Sequence, residues 1–96
     1  MKESEARELI VEMACSMFER RLTFGSSGNI SVKIDGGWLM TPTGSSLGRL
    51  DPARLSRLDW QGKLLSGDAP SKEAFLHLAM YEERAKNAAV VHLHST

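Results

Sequence analysis

Two histidines separated by one residue, His92 and His94, sit in the run Ala88-Ala89-Val90-Val91-His92-Leu93-His94. The run favours β structure, and on a strand alternate side chains share a side. Their Cα atoms are then roughly 7 Å apart. Both imidazoles can converge on one divalent ion at ~2.0–2.1 Å. The same pair also reads as two surface histidines at a strand end. Catalytic zinc centres usually combine three protein ligands with an open position, so two imidazoles need a further donor.

Glu73 is the nearest candidate in type. It is expected in the first turn of a helix, where the positive end of the macrodipole favours a carboxylate. It reads either as a dipole-complementing surface residue or as a ligand or general base beside a metal. His77, four residues on, shares its face and reads as a packing or hydrogen-bonding residue rather than a ligand. Two small-residue loops, Gly25-Ser26-Ser27-Gly28-Asn29 and Pro42-Thr43-Gly44-Ser45-Ser46-Leu47-Gly48, would suit a phosphate. Such residues let backbone N–H groups come close and add hydroxyl donors. Each loop also reads as a plain turn, and neither is a nucleotide fingerprint. Lys72, beside Ser71 at a helix start, could supply positive charge or be a solvated surface lysine.

The elements that must position these groups follow from periodicity and punctuation. Leu9, Ile10, Met13, Ala14, Met17 and Phe18 recur at helical spacing from Ser4 to about Phe24, with Ser4 as N-cap and Gly25 as stop. Ile30-Ser31-Val32-Lys33-Ile34 alternates as a half-buried strand, Asp35-Gly36-Gly37 turns the chain, and Trp38-Leu39-Met40-Thr41 returns. Asp51-Pro52-Ala53-Arg54-Leu55 reads as a short capped helical turn with Pro52 at its first position. A second hairpin is expected over Arg57-Leu58-Asp59-Trp60, Gln61-Gly62-Lys63 and Leu64-Leu65-Ser66. An amphipathic helix follows from Ser71, its N-cap, to about Lys86. The string implies a sheet with helices packed on it.

Composition narrows the function classes. The 96 residues carry 12 basic and 12 acidic side chains, so no global field favours nucleic acid or an anionic membrane. No apolar run approaches the ~20 residues of a membrane span. The single Cys15 excludes an internal disulfide and fits a reducing compartment; within its apolar-periodic segment it is expected to be a buried thiol. The chain reads as cytosolic. It stops at Thr96, at the tip of what should be a core strand, which suggests part of a larger domain.

Four segments, in order, resemble the class II aldolase/adducin superfamily. Gly28-Asn29-Ile30-Ser31 resembles its Gly-Asn-(Ile/Val)-Ser loop, and Thr41-Pro42-Thr43-Gly44 its Thr-Pro-(Thr/Ser)-Gly motif. Gly67-Asp68-Ala69-Pro70-Ser71-Lys72-Glu73 resembles the approach to the catalytic helix, and Val90-Val91-His92-Leu93-His94 the metal strand. The resemblance implies a three-layer α/β/α fold with a central, mostly antiparallel sheet, of which residues 1–96 would be the N-terminal portion. It implies that His92 and His94 bind zinc, or another divalent ion such as manganese or cobalt, with Glu73 as acid/base that can also touch the metal. Residues Gly28, Asn29, Thr43, Gly44, Ser71 and Lys72 would surround the substrate phosphate. The family's third metal-binding histidine would lie beyond Thr96.

Lys72, together with Leu47-Gly48-Arg49-Leu50-Asp51-Pro52-Ala53-Arg54-Leu55, is most similar to the 3-oxo-tetronate 4-phosphate decarboxylase branch. There a phosphorylated 3-oxo sugar acid loses carbon dioxide through a metal-stabilised enediolate. A fuculose-phosphate type aldolase or a ribulose-phosphate 4-epimerase is the alternative within the family. An inactive fragment or an adducin-like interaction module is the alternative outside catalysis. The resemblance also implies a homotetramer with sites at subunit contacts.

Overall fold

In a computed structural model of the chain, the structure describes residues 2–20, 28–43, 49–84, 86 and 88–93, with 92 and 93 described as backbone. The elements are α1 (Glu3–Glu19), β1 (Gly28–Ile34), β2 (Gly37–Met40), a 3-10 turn (Pro52–Arg54), β3 (Ser56–Leu58), β4 (Leu64–Ser66), α2 (Ala74–Glu83) and β5 (Ala89–Leu93). The strands form one sheet in the order β4-β3-β2-β1-β5, and every neighbouring pair is antiparallel. The helices cover opposite faces, so the expected three-layer α/β/α arrangement is observed.

Strand periodicity explains the layering. Ile30, Val32 and Ile34 of β1 lie on one face with Leu39 of β2, and they form one core with Leu55 and with Ala6, Ile10 and Ala14 of α1. Residues 6, 10 and 14 are four apart, so they make a single stripe along the helix. The intervening residues of β1 and β2 face α2, where Trp38, Met40, Leu58, Tyr81 and Val90 form a second cluster. The expected half-buried strand is therefore covered on both sides, and Ser31, one of its alternating polar residues, is 0% exposed.

Several boundaries differ from expectation. Helix α1 begins at Glu3, with Lys2 rather than Ser4 at the cap position and no side-chain cap. Glu3 instead anchors the first turn, its carboxylate meeting Arg7 at 2.8 Å and Arg57 of β3 at 3.0 Å. The helix ends at Glu19, short of Phe24, and Gly25 lies outside the described residues. Phe18, expected on the apolar face, is 41% exposed, although it continues the four-residue spacing of the buried positions 6, 10 and 14. Cys15 is only half-buried. Its Sγ–H donates to Glu19 Oε1 one turn on, and the Glu19 charge raises the thiol pKa.

Strand β1 starts at Gly28, so Gly28 and Asn29 belong to the strand and not to the preceding turn. The β5 ladder causes this, pairing Gly28 with Leu93 and Asn29 with His92. Asp35-Gly36 makes the hairpin, with Gly36 at φ +82°, a left-handed value that only glycine adopts at little cost. The second hairpin forms as expected: Asp59 accepts from the Gln61 and Lys63 backbone N–H groups through its side chain. A register shift between Arg57 and Leu58 interrupts the β3–β4 ladder, and β4 is three exposed residues long. Asp51 caps the 3-10 turn through Ala53 N–H.

Helix α2 departs furthest from the sequence reading. It spans Ala74–Glu83, with Glu73 at the N-cap position, instead of running from Ser71 to Lys86. Ser71 does cap the approach, its Oγ accepting from Glu73 N–H at 3.2 Å. The helix is not amphipathic in the expected sense: Phe75 is 66% exposed, Leu76 and Met80 are also exposed, and the residues turned inward are His77 and Tyr81.

Candidate active site

Backbone pairing brings four separate segments to one end of the sheet. The start of β1 carries Asn29, and the β5 ladder sets His92 as its register partner. The end of β2 runs alongside, with Thr41 N–H bonded to the Ile30 carbonyl and Thr41 Oγ1 accepting from Ile30 N–H. Beyond it, Pro42 bridges to Pro70, and Thr43 N–H donates to the Ala69 carbonyl at 2.9 Å. This strap places Thr43 beside the segment that enters α2 through Ser71, Lys72 and Glu73. The segment is held from below by Ser56 Oγ–H donating to the Asp68 carbonyl and by the Arg54–Asp68 ion pair at 2.8 Å. Gly67 permits the approach: at φ +85°, a Cβ there would collide with the Leu55 carbonyl.

A continuous polar chain runs through the space between β1 and α2. Asn29 Nδ2 donates to Glu73 Oε2 at 2.6 Å. Asn29 Oδ1 meets His77 Nε2, and His77 Nδ1 lies 2.6 Å from Ser31 Oγ. Ser31 Oγ is 2.8 Å from the Tyr81 hydroxyl. Asn29, Ser31, His77 and Tyr81 are all buried, where each unmet polar group would carry a desolvation cost of about 1–3 kcal/mol. Trp38 walls the chain, its ring stacked 6.3 Å from His77 and tilted against Tyr81 at 5.9 Å. Burial pushes the Tyr81 phenol pKa up, while a hydrogen bond with the Val90 backbone pulls it partly back.

The residues singled out from sequence thus fall into three groups. Glu73, Asn29, Thr43 and Ser71 are brought to one end of the sheet together with the backbone of Gly28 and His92, and Lys72 lies exposed in the turn before α2. Glu73 sits at the N-cap rather than inside the first turn, and its carboxylate is held by Asn29. His77 packs and hydrogen-bonds, as expected. Gly44 and His94 lie outside the described residues. No group of three or more metal-ligating side chains is found among the described residues.

Ser31 and Tyr81 were not singled out from sequence. A signal was available: Glu73, His77 and Tyr81 are spaced by four, one polar stripe on a helix, and Ser31 is two residues from Asn29 on a strand.

The family model described as the class II aldolase and adducin N-terminal domain matches residues 8–96. The chain belongs to the class II aldolase and adducin family. Within it, the chain is 54% identical over 97 aligned positions to the 3-oxo-tetronate 4-phosphate decarboxylase of Haemophilus influenzae, covering 100% of this chain and 46% of that protein. It is 34% identical to the L-fuculose phosphate aldolase of Escherichia coli K12, over 99% of this chain and 44% of the relative. The crystal structure of YgbL from Escherichia coli superposes with a TM-score of 0.93 at 49% identity, over 98% of this chain and 46% of that one. The chain therefore spans somewhat under half the length of the class II aldolase relatives it matches. No helix among the described residues is long and apolar enough to cross a membrane.

Proposed function

We propose that the protein carrying this chain is a divalent-metal-dependent carbon–carbon lyase that decarboxylates a phosphorylated 3-oxo sugar acid of the 3-oxo-tetronate 4-phosphate type. The observation that supports it most directly is the Glu73–Asn29 hydrogen bond, because Asn29 is also the register partner of His92. A carboxylate and the first half of a His-x-His pair thereby share one end of the sheet. The similarity to the Haemophilus influenzae decarboxylase supports the choice of substrate class.

The donor chemistry fits a metal of the zinc, manganese or cobalt kind: two imidazoles, from His92 and His94, and one carboxylate, from Glu73. When bound, such a cation supplies Lewis acidity that favours negative charge on a nearby oxygen. The chain's own residues would do the rest. Thr43, Ser71 and Lys72, with the backbone at Gly28 and Gly44, would seat the phosphate, Lys72 through its charge and the hydroxyls as donors. Asn29 would offer its second amide hydrogen. As the carbon–carbon bond to the carboxyl group breaks, its electron pair passes to the neighbouring carbonyl. The carbon left behind then takes a proton, and Glu73, after taking one from solvent, is the group assigned to deliver it. Burial by Trp38 and β1 keeps water from the back of Glu73's hydrogen-bonding partners. The same reading takes the protein to be cytoplasmic and homotetrameric.

An aldol cleavage is the second reading, favoured by the similarity to L-fuculose phosphate aldolase. The deciding assay presents the intact protein with a 3-oxo-tetronate 4-phosphate and with a ketose 1-phosphate, each before and after chelator treatment. Chelator-sensitive release of carbon dioxide from the first supports decarboxylation. Aldehyde release from the second alone would replace it with the aldolase. Turnover of neither, with no retained metal, would leave a non-catalytic, adducin-like role. Lys72→Ser should raise KM for the keto acid or shift preference away from it, and an unchanged profile would remove Lys72 from substrate selection.

A further inference from the structure

Counting protons along the buried chain gives it a direction. Asn29 turns its NH2 group toward Glu73, Nδ2 donating to the carboxyl Oε2. The Asn29 carbonyl oxygen is then on the other side, facing His77 Nε2, which must carry a hydrogen. A neutral ring has one such hydrogen, so Nδ1 is an acceptor and takes the Ser31 hydroxyl proton. Ser31 has spent its only hydrogen, and the Tyr81 hydroxyl must donate to it. Tyr81, Ser31, His77 and Asn29 therefore each donate to the next, and the series ends on the Glu73 carboxylate. Reversing the ring's proton would flip the Asn29 amide and set its oxygen against the carboxylate, two acceptors face to face.

We propose that His77 is a positioning residue: backed by Ser31 and Tyr81, it fixes which way the Asn29 amide faces and so where the Glu73 carboxylate is held. The catalytic consequence rests on the lyase reading above; the geometry does not. In this scheme His77 acts on Glu73 through Asn29. The stacking on Trp38 holds the ring plane, and Ser31 and Tyr81 set its tautomer. Partners of this indirect kind are commonly as consequential as the groups they orient.

The test uses the intact, metal-loaded protein. Imidazole 15N resonances of His77, assigned by their loss in His77→Gln, should show the Nε2–H tautomer, and Ser31→Ala should make the tautomers mix. A ring protonated at Nδ1 alone, with no hydrogen on Nε2, in the wild type overturns the proposal, whatever the protein's activity. In turnover, His77→Leu should lower kcat about 10- to 100-fold with KM and metal content little changed. His77→Gln, which returns an N–H donor near the Nε2 position, should restore most of the loss, and His77→Glu, which returns only acceptors, should not. Equal loss in all three, or loss that tracks melting temperature, would reduce His77 to packing. Absence of any lyase activity in the wild type would sink the proposed function instead, while the resonance experiment still decides the role of His77.

Discussion

The two faces of the sheet are built from the same strands by opposite means. On the α1 side, Ile30, Val32, Ile34 and Leu39 meet Ala6, Ile10 and Ala14, a dry contact whose strength scales with the area removed from water. On the α2 side, Asn29 and Ser31 meet His77 and Tyr81, a directional contact whose worth depends on every partner being present. Adjacent residues of β1 thus serve opposite purposes. An apolar face tolerates conservative replacement; a hydrogen-bonded chain constrains both distance and angle. The candidate site lies on the hydrogen-bonded face, and the purely apolar packing on the other.

That contrast can be broken at several points. Glu73→Gln keeps the shape and removes the ionisable group, so kcat should fall by about 10²- to 10⁴-fold with substrate binding and melting temperature nearly unchanged. Near-normal turnover would place the proton-transfer group elsewhere. On the other face, Ile10→Ala should lower unfolding free energy by about 2–5 kcal/mol while the folded fraction keeps its KM. A kinetic defect beyond the loss of folded protein would show that the α1 face is not merely scaffold.

The smallest effect is a pH effect. Tyr81 has a raised pKa in the folded state, so below about pH 10 it is protonated in both states. Above that value the unfolded chain ionises first, and stability falls as pH rises through the folded pKa. Tyr81→Phe should flatten this alkaline loss in a denaturant titration series; identical slopes would mean that Tyr81 ionises as freely in the folded protein as in the unfolded one.

The same contrast explains what sequence reading could reach. Both hairpins were legible because alternation and turn residues such as Asp35-Gly36 are local signals. The α1 stripe was legible for the same reason, though its centre was misplaced toward Phe18. Helix α2 was misread because its fully buried residues, His77 and Tyr81, carry polar groups while Phe75 and Leu76 are exposed. Only the partners in β1, more than forty residues away, make His77 and Tyr81 suitable for burial. The site was legible through motif resemblance, which named Asn29 and Glu73. It did not reveal that the two are bonded to each other, since that depends on the β1–β5 register and on where α2 begins.

The far edge of the sheet has a consequence of its own. Strand β4 is three residues long, and the register shift between Arg57 and Leu58 disrupts its pairing. A short, irregular edge is a poor template for another chain's backbone. Exposed Leu64 and Leu65 therefore sit where strand-on-strand growth is hindered.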